Sequence, residues 1–414
     1  MNRQAFVLTL ALASCLGKPV RADDWPEFRG PTGQGLLLKG KLPTTWSKDK
    51  NVVWKREIPG KGWSSPIIVA ERVYLTTAVA GDDGDQSLRA VCLDTAKGEI
   101  LWDKEVFHQD GKGAPNIHGK NSHASPTPLL RDGKLFVHFG HQGTACLNLD
   151  GKILWRNTTL RYAPVHGNGG SPILVDDLLV FNCDGGDKRF VVALNVTDGG
   201  VRWKTNRTVA ATKNFSFGTP LLIEVDGRKQ IVSPASNVVS AYDPADGKEI
   251  WKVRYNGYSL IPRPVYGHGL VFVCTGFDRP ILLAIRPNGK GDVTDTHVAW
   301  KTNKAVALTP SLLLVGDELY MASDAGMASC LDARTGKVYW QERLGGSYSA
   351  SPLFADGKLY FQSEQGTGVV LQAGKEFKLL AKNALDERSL ASPAAADGAL
   401  FIRTEKHLYR IGTR

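Results

Sequence analysis

The chain is poor in the features that most often announce chemistry. It has six cysteines in 414 residues, with no Cys-x-x-Cys and no adjacent pair, which argues against a metal knuckle and against a disulfide framework. No G-x-S-x-G, P-loop or H-E-x-x-H occurs, so the common marks of a hydrolase, a phosphate cradle and a zinc protease are missing. No low-complexity segment is present. Beyond the N-terminus there is no apolar run of about 18 residues, so no later membrane span is expected. The basic excess, 51 Lys and Arg against 41 Asp and Glu, is scattered and shows no run that would line a nucleic-acid groove.

The N-terminus differs from the rest. MNRQAFVLTLALASCLGKPVRA places Arg3 before an apolar stretch from Ala5 to Leu16, with a small-residue junction at Val20-Arg21-Ala22. This predicts an export signal over residues 1–22, too short to span a bilayer. Leu12-Ala13-Ser14-Cys15 overlaps it and has the form of a lipobox, which would lipidate Cys15 and tether the protein to the outer membrane. Both readings place the protein in the periplasm or outside the cell. Loss of residues 1–22 removes Arg3, Lys18 and Arg21 and no acid, taking the formal charge from +10 to +7.

What the chain has in quantity is repetition, with 44 glycines and 21 prolines spread at intervals. Trp54, Trp102, Trp155, Trp203, Trp251, Trp300 and Trp340 follow one another mostly 48 or 49 residues apart. Most close one phrase: LDTAKGEILW, LNLDGKILW, LNVTDGGVRW, YDPADGKEIW, LDARTGKVYW. A second phrase precedes it, as in SPTPLLRDGKLFVHF, GSPILVDDLLVFN and ASPLFADGKLYFQS. Alternating β-branched and aromatic residues between Asp-Gly or Thr-Gly turns read as four short strands, A to D, per unit. Four strands per 40–50 residues is the period of a propeller blade. The repeated indole is read as a structural packing wedge between blades. Cys92, Cys146 and Cys330 share one repeat position and Cys183 and Cys274 another, so cysteine serves here as a small buried apolar residue.

The ends complete the pattern. The last unit, ASPAAADGALFIRTEKHLYRIGTR, stops after three strands, and NVVWKREI at 51–58 is a tryptophan strand with no strands before it. Joining them predicts an all-β, single eight-bladed β-propeller over 51–414, closed by N- and C-terminal strands sharing one blade. Seven blades is the alternative, because the seventh unit carries FKLLAKN where tryptophan is expected. Residues 23–50 are predicted to form an extended arm across the disc, and the closed ring predicts a monomer.

The tryptophan phrase resembles the docking repeat of the quinoprotein dehydrogenases and of BamB-type outer-membrane assembly lipoproteins. DWPEFRGPTGQG at 24–35, with HGKNSHASPTP at 118–128, is similar to the exported PQQ-like β-propeller repeat family. The resemblance covers residues 51–414 and implies a quinoprotein-like fold. It does not choose between enzyme and scaffold, because both use the repeat. For a PQQ-dependent alcohol or sugar dehydrogenase it implies a quinone stacked on a disulfide of adjacent cysteines and a calcium beside a catalytic aspartate. The chain departs from that pattern, having no Cys-Cys pair and no calcium set that matches residue for residue. The preferred reading is therefore a non-enzymatic exported module, with no cofactor, that binds an envelope protein, a glycan or a small ligand; PQQ and calcium belong to the alternative.

Strand direction sorts the loops. A–B and C–D turns share one face and are short (RDG, ADG, TDG, RTG), as turn chemistry demands. D–A and B–C connections share the other face and are longer and varied, which is where a scaffold carries function. His118, Asn121 and His123 lie in the connection leading into blade 2. His166 and Asn168 hold the matching place before blade 3, Phe215 and Phe217 before blade 4, and Arg263 opens strand A of blade 5. With His141 from a B–C loop, these are the candidate ligand- or partner-binding residues. Histidines at such a rim suit proton transfer or metal binding, but the His118–His123 spacing matches no metal motif, and a backbone-bonded His123 beside a solvent-facing His118 is the plainer reading. Asp82, Asp83 and Asp85 lack a bidentate glutamate after them and read as a solvated hairpin. Asp184 and Asp187 read as turn residues or ligands.

Overall fold

The computed structural model describes residues 24–113 and 117–412; the proposed leader, the Ala22 junction and Cys15 lie outside them. The described residues form eight sheets with no crossover inside any blade. Blades 1 to 7 span 67–109, 129–157, 173–206, 221–254, 265–302, 313–343 and 353–384. Blade 8 takes its three inner strands, Ala394–Ala396, Ala399–Arg403 and His407–Ile411, from one end of the chain and its outer strand, Val52–Glu57, from the other. That pair is antiparallel, with Trp54 opposite Arg410 and Arg56 opposite Leu408. Eight blades and closure by shared strands are thus observed. Among the described residues no helix is long and apolar enough to cross a membrane.

Blade geometry follows from burial. A middle strand is covered on both faces by neighbouring blades, so Leu178–Asp184, LLVFNCD, is buried at every position and reads as a continuous apolar run. An outer strand has a solvated flank, so Val201–Asn206 keeps only Trp203 buried. The five cysteines from Cys92 to Cys330 are buried and free.

The joint between blades explains the tryptophan phrase. The indole of one blade lies on the turn glycine of the next: Trp54 on Gly98, Trp102 on Gly151, Trp155 on Gly199, Trp203 on Gly247 and Trp300 on Gly336. Its N–H donates to a carbonyl of the same turn. Trp54 Nε1 reaches Thr95 O at 2.8 Å, Trp102 reaches Leu149 O at 2.9 Å and Trp155 reaches Val196 O at 3.1 Å. Trp203 reaches Pro244 O at 2.8 Å, Trp300 Ala333 O at 3.0 Å and Trp340 Gly374 O at 3.0 Å. Each indole thus packs with its one donor satisfied. The wedge is less enclosed than the sequence suggests at three joints. Trp102, Trp155 and Trp300 are only partly buried, whereas Trp54, Trp203, Trp251 and Trp340 are buried. The reason is their place on the outermost strand, where one ring edge meets water while the face covers the glycine. The Thr-Gly and the Trp of one phrase serve different joints, one facing each neighbour.

Two blades depart from the rule. Trp251 bonds Gln230 Oε1 of its own blade at 2.8 Å. The long turn of blade 5 instead adds Gly291–Asp292 as a parallel fifth strand along the outer edge of blade 4, which covers an exposed edge. Blade 7 has Ala381 at the tryptophan position, opposite Val370. The arm compensates: the Trp46 ring packs on Gly368, and its backbone N–H donates to Asn383 Oδ1 at 2.8 Å.

Gly199 sits at φ +73 and a Cβ there would lie 2.5 Å from the Trp155 ring, whereas Gly133 has the same φ with nothing within 4 Å. Gly133→Ala is expected to cost about 1–2 kcal/mol, the left-handed penalty alone. Gly199→Ala should cost about 1–3 kcal/mol more through overpacking. Chemical denaturation of both variants checks this; equal losses would show that the joint does not need the glycine.

Candidate functional site

The inner strands open with Ser/Thr-Pro, and the channel shows why. Proline supplies no N–H at an edge that has no sheet partner. The residue before it, or in blade 6 Ser311 just after Pro310, bonds the neighbouring blade instead. Ser65 N–H donates to Thr127 Oγ1 (3.0 Å), Thr127 N–H to Ser171 Oγ (2.9 Å) and Ser171 N–H to Thr219 Oγ1 (3.0 Å). Arg263 N–H donates to Ser311 Oγ (3.0 Å), Ser311 N–H to Ser351 Oγ (3.0 Å) and Ser351 N–H to Ser392 Oγ (2.8 Å). Two arcs of hydroxyls therefore tie blades 1 to 4 and blades 5 to 8 together around the axis.

The arm closes the channel from the turn face. Asp24 Oδ1 accepts from the Ala70 N–H in a turn of blade 1, and Trp25 bridges Ile68. The chain then crosses to blade 7, where Leu37 N–H donates to Phe354 O at 2.9 Å. Midway, Arg29 Nη2 donates to Gln34 O and Leu312 O, both at 2.6 Å. Arg263 is 3% exposed and turned toward the arm: Nη1 reaches Phe28 O at 2.7 Å and Glu27 Oε1 at 3.2 Å, and Nε reaches Pro220 O at 3.0 Å. It anchors the plug and does not line the mouth. Burial pushes Glu27 up despite Arg263 and brings Arg29 down to about 9, helped by the charge of Arg263.

Above the plug lies a blind cavity of about 310 Å³ that receives side chains from the D–A connections of all eight blades, with Phe28 of the arm also in its lining. An arc of rings runs along one side of it, and hydroxyls run all the way round. Blades 2 to 5 supply a ring-to-ring arc: His118–His166 at 5.6 Å, His166–Phe215 at 5.3 Å, Phe215–Tyr258 at 5.9 Å and Tyr258–Phe277 at 6.3 Å. Phe217 flanks Phe215 at 6.1 Å. Hydroxyls come from both sides: Ser125, Thr127, Ser171, Thr219 and Ser259 in blades 2 to 5 and the connections leading into them, and Thr309, Ser311, Ser349, Ser351 and Ser392 in blades 6 to 8. A strap joins the two sides: Lys120, from the connection into blade 2, meets Glu364 Oε1 at 2.7 Å and Asp324 Oδ2 at 3.8 Å, in the B–C loops of blades 7 and 6. Arg388 Nη2 donates to Gly119 O at 2.8 Å, and its guanidinium lies 5.6 Å from the Trp63 ring.

Of the residues singled out in the sequence, His118, Asn121, His166 and Phe217 line this cavity. His123 points elsewhere, its Nδ1 3.1 Å from Gln109 Oε1, and partial burial lowers its pKa. Asn168 is buried behind the wall, accepting from Tyr162 OH at 2.8 Å and lying 3.2 Å from His141 Nδ1. Burial, followed by the Arg161 charge, brings His141 down to about 4. Asp184 is a support: Arg207 donates to both its oxygens (2.7 and 2.9 Å) and Ser216 Oγ to one at 2.7 Å, fixing the loop that carries Phe215 and Phe217. Asp187 caps the Ala163 N–H at 2.7 Å. Asp85 accepts from the Gly111 N–H at 2.7 Å within its hairpin. Lys120, Trp63, Tyr258, Phe277, Asp324 and Glu364 were not singled out. The one signal for Tyr258 and Lys120 was their place in D–A connections.

The profile of the family described as "Outer membrane protein assembly factor BamB" matches residues 51–222 and 234–404. The chain belongs to this family. A BamB of Shewanella oneidensis is 24% identical over 319 residues, covering 71% of this chain and 73% of that protein. The crystal structure of BamB from Moraxella catarrhalis superposes with a TM-score of 0.60 at 12% identity, covering 88% of this chain and 97% of that one. A europium-containing methanol dehydrogenase superposes with 0.66 at 11% identity, covering 92% and 89%. At such identities the likenesses show the fold alone, shared by BamB and quinoprotein enzymes.

His138, beneath the rim of blade 2, is held neutral by burial, down to about 3, with its ring 2.8 Å from Thr144 Oγ1. The unfolded chain binds a proton below about pH 6.5 that the folded ring refuses, so stability is complete above that pH and falls as pH drops toward the folded value. From pH 7 to 5 this histidine alone should remove about 2 kcal/mol. His138→Gln is expected to shrink the loss measured by denaturation at the two pH values by about that amount; an unchanged difference would contradict the assignment.

Proposed function

We propose that the protein is an exported, non-catalytic propeller that holds an envelope partner at its loop-rich mouth, as a BamB-type scaffold. The observation that carries this is the family match, which spans the ring almost from end to end. The match also favours export, through the signal over 1–22 with either a free Asp23 or a lipidated Cys15 as the mature N-terminus.

The quinone-dependent alternative requires a fit that the residues present do not offer. The five described cysteines sit singly in blades 1, 2, 3, 5 and 6, each buried and free. The two carboxylates at the mouth, Asp324 and Glu364, close on the Lys120 ammonium, a cation supplied by the chain itself. Asp324 also accepts from Thr309 Oγ1 at 2.6 Å, and Glu364 from Ser349 Oγ at 2.6 Å. Among the described residues no three His, Cys, Asp or Glu side chains converge as a metal set.

A photo-reactive phenylalanine analogue at Phe277 is expected to cross-link to one envelope protein in outer-membrane preparations, whereas the same label at Lys248, on the opposite face, is expected to give none. Mass spectrometry of the mature chain reads the anchor at the same time. With PQQ and calcium added, no substrate-dependent dye reduction is expected; such reduction together with a silent Phe277 label would overturn the scaffold.

A further inference from the structure

We propose that the mouth cavity binds a single neutral pyranose ring, the exposed unit of an envelope glycan. This rests on the loop-rich mouth being the binding surface, and not on which protein, if any, docks there.

Size and closure come first. At about 310 Å³ the cavity lies at the lower end of small-molecule sites, roughly 300–1,000 Å³. The arm across the channel makes it a cup and not a passage. One sugar ring suits such a cup; a polypeptide segment would need a through-groove.

The chemistry of the lining decides the class. His166, Phe215 and Phe277 line the cavity with aromatic rings, as does Tyr258, one face of which carries the Lys213 ammonium 3.8 Å from the ring centroid. The negative face of an aromatic ring attracts weakly positive C–H groups. Hydroxyls line the cavity all the way round, at Thr127, Ser171 and Thr219 on the blades of the arc and at Thr309, Ser349 and Ser392 opposite, and Lys120 reaches the same lining. A pyranose offers a partner to each kind of group, an axial C–H face for the rings and an equatorial rim of hydroxyls for the serines and threonines. An acyl chain would leave those hydroxyls buried against hydrocarbon, which is costly. A phosphate or nucleotide would meet one ammonium that already serves two carboxylates. A charge-assisted bond from the Lys120 ammonium to a sugar hydroxyl is of the stronger kind and would fix orientation.

The test is saturation-transfer NMR on the whole mature protein with methyl glycosides of glucose, galactose, mannose and N-acetylglucosamine. Each is present at about 10 mM, tenfold above a millimolar dissociation constant. At least one should show transfer concentrated on the protons of one ring face. Phe215→Ala with Tyr258→Ala should weaken it by about tenfold or more, the scale of lost aromatic contact. Lys120→Met, which keeps the chain length and removes the ammonium, should weaken it by about three- to tenfold. Circular dichroism confirms that both variants fold. No transfer from any glycoside, or binding unchanged in both variants, overturns the proposal. If Phe277 still cross-links to an envelope protein in that case, the scaffold reading stands and the sugar alone is removed.

Discussion

The structure depends on the joint between neighbouring blades. A single four-stranded sheet cannot bury both of its apolar faces, so each blade is stable only against the next. Here the joint has two fasteners at different radii. Near the rim an indole lies in the turn of the next blade, on a glycine whose left-handed backbone leaves room for it. At the axis, a hydroxyl beside the inner strand of six blades accepts an N–H from the blade next to it. Without the first the disc would splay outward, and without the second the inner edges would carry unpaired donors. Sharing blade 8 between the two ends makes the ring continuous.

The arm converts the ring into a vessel. An open propeller has a channel lined by unpartnered strand edges, and residues 24–37 pair with several of them while crossing it. Glu27, Arg29 and Arg263 are taken out of water to do so, with bonds from guanidinium to backbone carbonyls offsetting much of the loss. The same crossing places Phe28 in the cavity lining. Plug, hydroxyl arcs and mouth therefore form one unit, and the strap from Lys120 to Glu364 spans its open end.

Much of this was legible in the chain because the forces involved are periodic. Most joints use the same indole, turn and Ser/Thr-Pro, so Trp54 to Trp340 marked the blades and the truncated last unit marked the closure. How deeply each indole is covered was not legible, since Trp102 and Trp203 close the same phrase yet only the second is buried. Strand direction likewise placed His118, Asn121, His166 and Phe217 at the mouth. Side-chain direction inside irregular connections has no period. His123 turned to Gln109, Asn168 to His141 and Arg263 down to the arm. Contacts across the axis join residues far apart in sequence, so Lys120 with Glu364 left no local trace. The missing indole of blade 7 was visible as FKLLAKN, but its replacement by Trp46 of the arm was not.

Closure by the two ends is tested most directly by amide hydrogen exchange in Val52–Glu57. Val201–Asn206 is the comparison, since it holds the same outer position in a blade built from one continuous stretch. If the ring is closed, the two segments should exchange with similar protection, within about tenfold, as members of one cooperative unit. Exchange of Val52–Glu57 at the rate of an exposed loop, with Val201–Asn206 still protected, would contradict the closed ring and the cup built on it.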